Sequence, residues 1–271
     1  MNNFFNIEIN MKIIRKLLVK TFGIKIYLTW VSKIYITLIK MGYSKNKYAE
    51  LYFTKQIVTE GDTVLDIGAN LGYYSYFLAK DVGQNGTLLA VEPIPLFAEI
   101  WKKNLKKYNN YNIKLFNCAL GSEPKDKVKM SIPIVNGVVR HGLTKVEGQG
   151  EDAWGSFIDY EVPMYVGDDL IEKENLTQLN YIKCDVEGYE QYVIPSLKQT
   201  INQFKPLIQI ELNGKDNRQN VVDFLFELKY DVYILSNNKL KIIELTEIHN
   251  YNQDFYFINR ERIGAFSKLI E

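Results

Sequence analysis

In "VLDIGANLGYYS", residues 64–75, a hydrophobic strand runs into Asp66 and then into a turn carrying Gly68, Asn70 and Gly72. Glycines let the backbone turn tightly and approach a ligand, and the helix that follows offers its N-terminal N–H groups. A dinucleotide turn needs glycines in the pattern G-x-G-x-x-G. Those positions hold Gly68, Asn70 and Tyr73, so two of the three glycines are missing. A carboxylate such as Asp66 repels a pyrophosphate, whereas it suits a ligand whose reacting end is cationic.

S-adenosylmethionine meets that condition, with a sulfonium, an ammonium and no phosphate. Glu92 closes the next strand, 20 residues beyond Gly72. There a carboxylate can accept both ribose hydroxyl protons. Dinucleotide enzymes place an acid there too, so Glu92 alone does not choose between cofactors. The end of the third strand, from Asn117 through Ala119 to Leu120, is expected against the adenine, and Tyr73 completes the cofactor set. Glycines make turns in many proteins, and an acid after a strand often caps a helix. Several matches in the correct order and spacing favour the cofactor reading.

A second constellation, "KCDVEGYE" (residues 183–190), ends the fourth strand with Asp185, Glu187 and Glu190. Side chains alternate across a strand, so Asp185 can face the ligand crevice with Lys183 on the same face. The fifth strand exits at Glu211, with Asn213 two residues on. Two mechanisms follow. Asp185, Glu211 and Asn213 form a hard-oxygen set suited to Mg²⁺, which would hold and acidify a substrate hydroxyl. Alternatively Asp185 or Glu187 accepts the hydroxyl proton as general base. A structural reading instead has Glu187 and Glu190 favouring a helix N-terminus. Of the two histidines, His141 is a further base candidate, and His249 sits in a polar turn.

These side chains need a frame that gathers strand ends. From Thr63 onward, "TVLDI", "TLLAVEP", "NIKLFNCAL", "LNYIKCDVE" and "PLIQIEL" read as strands separated by helix-like runs, and "DVYILS" and "DFYFINR" as two last strands. This alternation predicts an α/β fold with a doubly wound, mostly parallel sheet of seven strands, because each parallel crossover needs a helix. One of the last two strands should run antiparallel. Residues 122–167 break the rhythm and read as a β-rich insertion on the substrate side, since ligands bind beyond the carboxyl ends of the strands. The expected organisation is a basic, mostly helical arm over 1–47 and a catalytic domain over 48–271.

The net charge of +1 announces no nucleic-acid partner, and no basic stripe accompanies the aromatic pairs of the catalytic region. Residues 1–47 hold nine basic side chains and one acid, Glu8, a local charge of +8. The run 12–40 mixes Lys and Arg with Ile, Leu, Phe and Trp30, as an interfacial helix does, so peripheral membrane contact and packing on the domain are both open. No stretch is expected to reach the ~18 uncharged apolar residues of a membrane span. No small-residue cleavage site follows an apolar core, so export is not expected. Cys118 and Cys184 read as buried reduced thiols, which suggests the cytoplasm.

"VLDIGANLGYYS", "VEP", "CALG", "DDLI", "YIKCDVEGYE" and "PLIQIEL", in that order, resemble the FkbM family of S-adenosylmethionine-dependent methyltransferases over about residues 50–260. The resemblance implies a class I, Rossmann-like methyltransferase fold and methyl transfer to a hydroxyl on a sugar, glycan or secondary metabolite. It carries cofactor roles onto Asp66, Gly68, Asn70, Gly72 and Glu92. It says nothing of the first 45 residues. Alternatives are an RNA or protein methyltransferase, a nucleotide-dependent oxidoreductase, and a membrane-docked scaffold without activity. RNA-base methylation commonly places Asn/Asp-Pro-Pro-aromatic after the fourth strand, where this chain has "DVEGYE".

Overall fold

The computed structural model describes residues 2–43, 45–135, 138–139, 142–146 and 156–271. The chain opens with helices α1 (Asn2–Lys40) and α2 (Ala49–Ile57). Strands and helices then alternate through β1 (Thr63–Ile67), α3 (Tyr73–Val82), β2 (Thr87–Val91), α4 (Pro95–Asn104) and β3 (Asn112–Phe116). A separate group follows: β4 (Ala119–Leu120), β5 (Lys125–Val135), β6 (Val138–Val139), β7 (Lys145–Val146) and β8 (Ser156–Tyr165). The alternation resumes with α5 (Gly167–Glu172), β9 (Tyr181–Cys184), α6 (Glu190–Val193), α7 (Lys198–Phe204), β10 (Leu207–Ile210) and α8 (Lys215–Glu227). The last strands are β11 (Tyr230–Ser236), β12 (Lys239–Ile242) and β13 (Phe255–Asn259).

Every residue of β1, β9 and β10 is buried, as strands covered by helices on both faces must be. The main sheet runs β12-β11-β13-β10-β9-β1-β2-β3. The five strands from β10 to the β3 edge pair in parallel, and β13 lies antiparallel to both β10 and β11. Chain order reverses beside β1, with β2 on one side and β9 on the other. A crevice opens at such a switch point, beyond the carboxyl ends of the strands. The sheet thus has eight strands rather than the expected seven. The eighth, β12, folds back from β11 through Asn237 and Asn238, both left-handed (φ 49° and 60°), the conformation a two-residue hairpin demands. Its "KLKI" buries Leu240 between exposed neighbours, a short edge pattern that is easily read as a turn.

"NIKLFNCAL" divides at Asn117 and Cys118: β3 stays in the main sheet, and β4 joins β8, β5 and β6 in a second sheet. The helical run after β9 is interrupted between α6 and α7, because Pro195 lacks the amide a continuous helix needs.

Helix α1 bends at Gly23, whose φ of 77° and ψ of 159° are not helical. Leu28 packs with Leu71, Phe97 and Ile100, and Ile36 and Ile39 join the core beside α3. Burying each such side chain contributes about 1.5–3 kcal/mol. Asn104 ties the arm to the glycine turn: its Nδ2 donates to Ser32 Oγ at 2.9 Å and to the Leu71 carbonyl at 2.8 Å. Leu17–Lys40 is long and apolar enough by length and mean hydropathy to cross a membrane, although it carries four lysines and so has no run of ~18 uncharged residues. With its inner face packed, the helix lies along the domain.

Candidate active site

Gly68 follows β1 with φ 78°, and a Cβ there would stand 1.8 Å from the Asp185 carbonyl oxygen. Only glycine lets the β1 and β9 exits approach so closely. Asn70 is left-handed as well (φ 50°), a conformation Asn tolerates. Gly72 (φ 85°) precedes α3, where a Cβ would meet Trp101 at 2.9 Å. Gly72 therefore shapes the turn and lines neither of the two cavities around it.

The smaller cavity, of about 270 Å³, is walled by Glu92, Phe97, Cys118, Ala119, Leu120 and Met130 among others. The larger, of about 780 Å³, lies between α1 and the strand exits, with Asp66 and Lys183 in its wall. Gly68, Asn70, Tyr73 and Asp185 belong to both, so the cavities meet there. The smaller space is mostly apolar and carries a buried carboxyl at Glu92, and Asp185 puts a further carboxylate at the junction, with Asp66 beside it in the larger space.

Glu92 is buried and accepts the Asn70 amide at 2.7 Å and the Ile94 amide at 2.8 Å. Burial outweighs both hydrogen bonds and pushes its carboxyl up to about 8. Asp66 accepts from Ser75 Oγ, itself a partner of Trp101 Nε1 at 2.7 Å. Burial raises Asp66 to about 6, against the Ser75 bond and the Lys183 charge. Asn117 takes no place in either cavity wall. Its Nδ2 donates to the carbonyls of Glu92 (2.7 Å) and Pro93 (2.9 Å), so it braces the loop that carries the acid.

Lys183 is 2% exposed, with Nζ 3.5 Å from Asp185 Oδ2 and 3.8 Å from Asp254 Oδ2. Its ammonium also stands 5.0 Å from the centre of the Tyr74 ring. Burial opposes that charge, but Asp185 and Asp254 outweigh it and hold Lys183 well above the usual lysine range. Glu187 lines the smaller cavity from a left-handed backbone (φ 54°), which is strained for a residue with a side chain. Burial first, then the charges of Asp185 and Glu211, push Glu187 up to about 8. Glu211 rises to about 7, again through burial and then Asp185 and Asp254.

The Mg²⁺ reading of Asp185, Glu211 and Asn213 does not fit this chemistry. The cation among these carboxylates is the Lys183 ammonium, and Asn213 Nδ2 donates to Glu211 at 3.2 Å. Neither Glu211 nor Asn213 lines a cavity. Among the described residues, no group of three or more His, Cys, Asp or Glu is placed to hold a metal. His141 lies outside the described residues.

Sequence reasoning missed two parts of the site. One is the polar chain behind Lys183, in which Tyr181 donates to Gln209, and Gln209 donates to Asp254. A glutamine inside the apolar run "LIQI" was a usable signal, since a buried amide needs partners. Asp254 offered none. The other is the wall that α1 contributes to the larger cavity, through Tyr27, Val31, Ile34, Tyr35 and Ile39.

Residues 66–257 match the family model described as the Methyltransferase FkbM domain. A protein-L-isoaspartate O-methyltransferase of Methanococcus aeolicus is 40% identical over 77 residues, which cover 27% of this chain and 36% of that one. The chain thus spans about a third of the length of that relative. Methyltransferase 1 of Beauveria bassiana is 26% identical over 144 residues, 49% of this chain and 57% of the relative. Among solved structures, a methyltransferase FkbM from Methylobacillus flagellatus KT superposes with a TM-score of 0.51 at 15% identity. That superposition covers 78% of this chain and 47% of the other, and it speaks for the fold.

Proposed function

The chain belongs to the FkbM methyltransferase family, and on that premise we propose that it transfers a methyl group from S-adenosylmethionine to a hydroxyl of a glycan or secondary metabolite. The observation that carries this reading is the junction of two cavities at Gly68, Asn70 and Asp185, with a buried lysine beside it. A volume of about 780 Å³ is that of a small-molecule site. This favours a compact acceptor over an RNA or protein chain.

When bound, the cofactor supplies a methyl group activated by a sulfonium. The residues of this chain do the rest. Glu92 receives the ribose hydroxyls, and Asp66 offers its charge to the cationic methionine end. A hydroxyl is a weak nucleophile at neutral pH, so its proton must leave as the methyl arrives. Asp185 takes that proton. Lys183 stands 3.5 Å away and offsets the charge that develops on the oxygen. Burial and the neighbouring carboxylates raise Glu187 to about 8, which favours its protonated form and a supporting role beside Asp185. The fold is also proposed to work in the cytoplasm, consistent with two free, buried cysteines.

Calorimetry tests the cofactor half. The protein should bind S-adenosylhomocysteine and not NAD. Glu92→Ala should weaken binding by about tenfold or more, since two ribose hydrogen bonds are lost, each worth ~0.5–1.5 kcal/mol. Unchanged affinity in that variant, or tight NAD binding, would overturn the assignment.

A further inference from the structure

On α1, Leu18 and Phe22 lie before the bend at Gly23, and Ile26, Trp30, Ile34 and Leu38 follow it at steps of four in one slowly turning row. All six are exposed, Trp30 by 61%. Phe22 and Trp30 stack with ring centroids 6.2 Å apart. The inner face of the same helix is already packed through Leu28, Ser32, Ile36 and Ile39, so the outer row is an addition to the core contact.

Beside this row runs a groove of about 580 Å³, lined by Lys33, Lys40, Lys103, Lys106 and Lys107 with no acid in its wall. Lys40 and Lys107 stand over the Tyr76 ring at 5.8 and 4.9 Å. An apolar, aromatic-bearing row flanked by gathered ammonium groups is the chemistry of a helix lying in the headgroup region of an anionic bilayer. The acceptor cavity joins the same surface: Leu18 and Ile34 belong both to the exposed row and to the cavity wall, with Arg15 beside them.

We infer that α1 docks on an anionic lipid bilayer and that the methyl acceptor is a lipid-borne hydroxyl compound entering the cavity from it. The apolar row sits in the interface, and the lysine groove meets phosphate headgroups. The tail of the acceptor follows Leu18 and Ile34 while its hydroxyl reaches Asp185. The inference rests on the methyl-transfer reading for the identity of the cargo, though docking is read independently of it. A second copy of this chain is a poorer occupant, because symmetric pairing through α1 would bring two lysine grooves together.

The full-length protein should float with vesicles of phosphatidylcholine containing phosphatidylglycerol, and at least about tenfold less with phosphatidylcholine alone or in high salt. Trp30→Glu and the triple change Lys33→Glu, Lys40→Glu, Lys107→Glu should each lower recovery by a similar factor. Both variants should keep wild-type affinity for S-adenosylhomocysteine, which reports an intact fold. With methyl-labelled cofactor and a membrane extract as acceptor source, the label should enter the organic phase. Equal recovery of the variants would overturn the inference, as would a dimer that Trp30→Glu converts to monomer without any vesicle binding. So would label confined to water-soluble product. Failure of the wild type to bind S-adenosylhomocysteine would instead strike the methyl-transfer reading and leave the flotation result standing.

Discussion

The smaller cavity takes its wall chiefly from the stretch Ile67 to Leu120, joined by residues of the second sheet and the β9 exit, whereas the larger takes more than a third of its wall from α1, between Arg15 and Ile39. The first is shaped by backbone: glycine conformations, strand exits and a carboxylate held by two amides. The second is shaped by side chains of a helix docked from outside the family region, mostly apolar and aromatic. A shared cofactor needs a fixed cradle, and a particular acceptor needs a wall that can change without disturbing it. On the proposed methyl-transfer reading, the difference puts acceptor specificity on the arm.

The comparison breaks most severely at the shared wall. Gly68→Ala puts a methyl group against the Asp185 carbonyl at a left-handed position, so both cavities should fail together. Thermal melting should show a loss of more than about 2 kcal/mol, with cofactor binding abolished. A variant with normal stability and affinity would mean that the β1 and β9 exits are not locked as described.

A milder change should separate the two regions. Val31→Trp fills the larger cavity from α1 without touching the smaller. Turnover at fixed acceptor should fall by about tenfold or more, while affinity for S-adenosylhomocysteine stays within about twofold. Equal losses in both would show that the compartments are not independent.

The smallest effect concerns pH. Glu92 has its folded value raised to about 8, from about 4.3 in the unfolded chain, so the ligand-free fold binds its proton more tightly than the unfolded chain does. The stability this group contributes is full below about pH 4.3 and is lost as pH rises through 8. Between pH 5.5 and 8.5 the melting temperature should therefore fall, and Glu92→Gln should make that fall visibly shallower. An unchanged slope would place the titrating group elsewhere.

The turn after β1 and the acid at the β2 exit were legible in the sequence because their determinants are local. Gly68, Gly72 and Glu92 act through the backbone they sit on, and strand alternation places them without tertiary knowledge. Asn117 was placed on the correct loop but given the wrong partner, since spacing cannot tell an amide that faces a ligand from one that braces a carbonyl. The acidic cluster misled for a related reason. Asp185, Glu211 and Asn213 look like a metal set until the buried ammonium of Lys183 is seen among them, held also by Asp254, some 70 residues away in the chain. The arm was legible only in part: its charge and apolar content left packing and membrane contact both open, and the contacts with α4 show which face is spent on the core.

Asp185→Asn tests the junction most directly, because it keeps the shape and removes the charge while Asp254 still holds Lys183. Affinity for S-adenosylhomocysteine should stay within about twofold, and methyl transfer should fall at least about 100-fold, with EDTA leaving the wild-type rate unchanged. Near-normal turnover in Asp185→Asn would contradict the account and make the acidic cluster a structural feature.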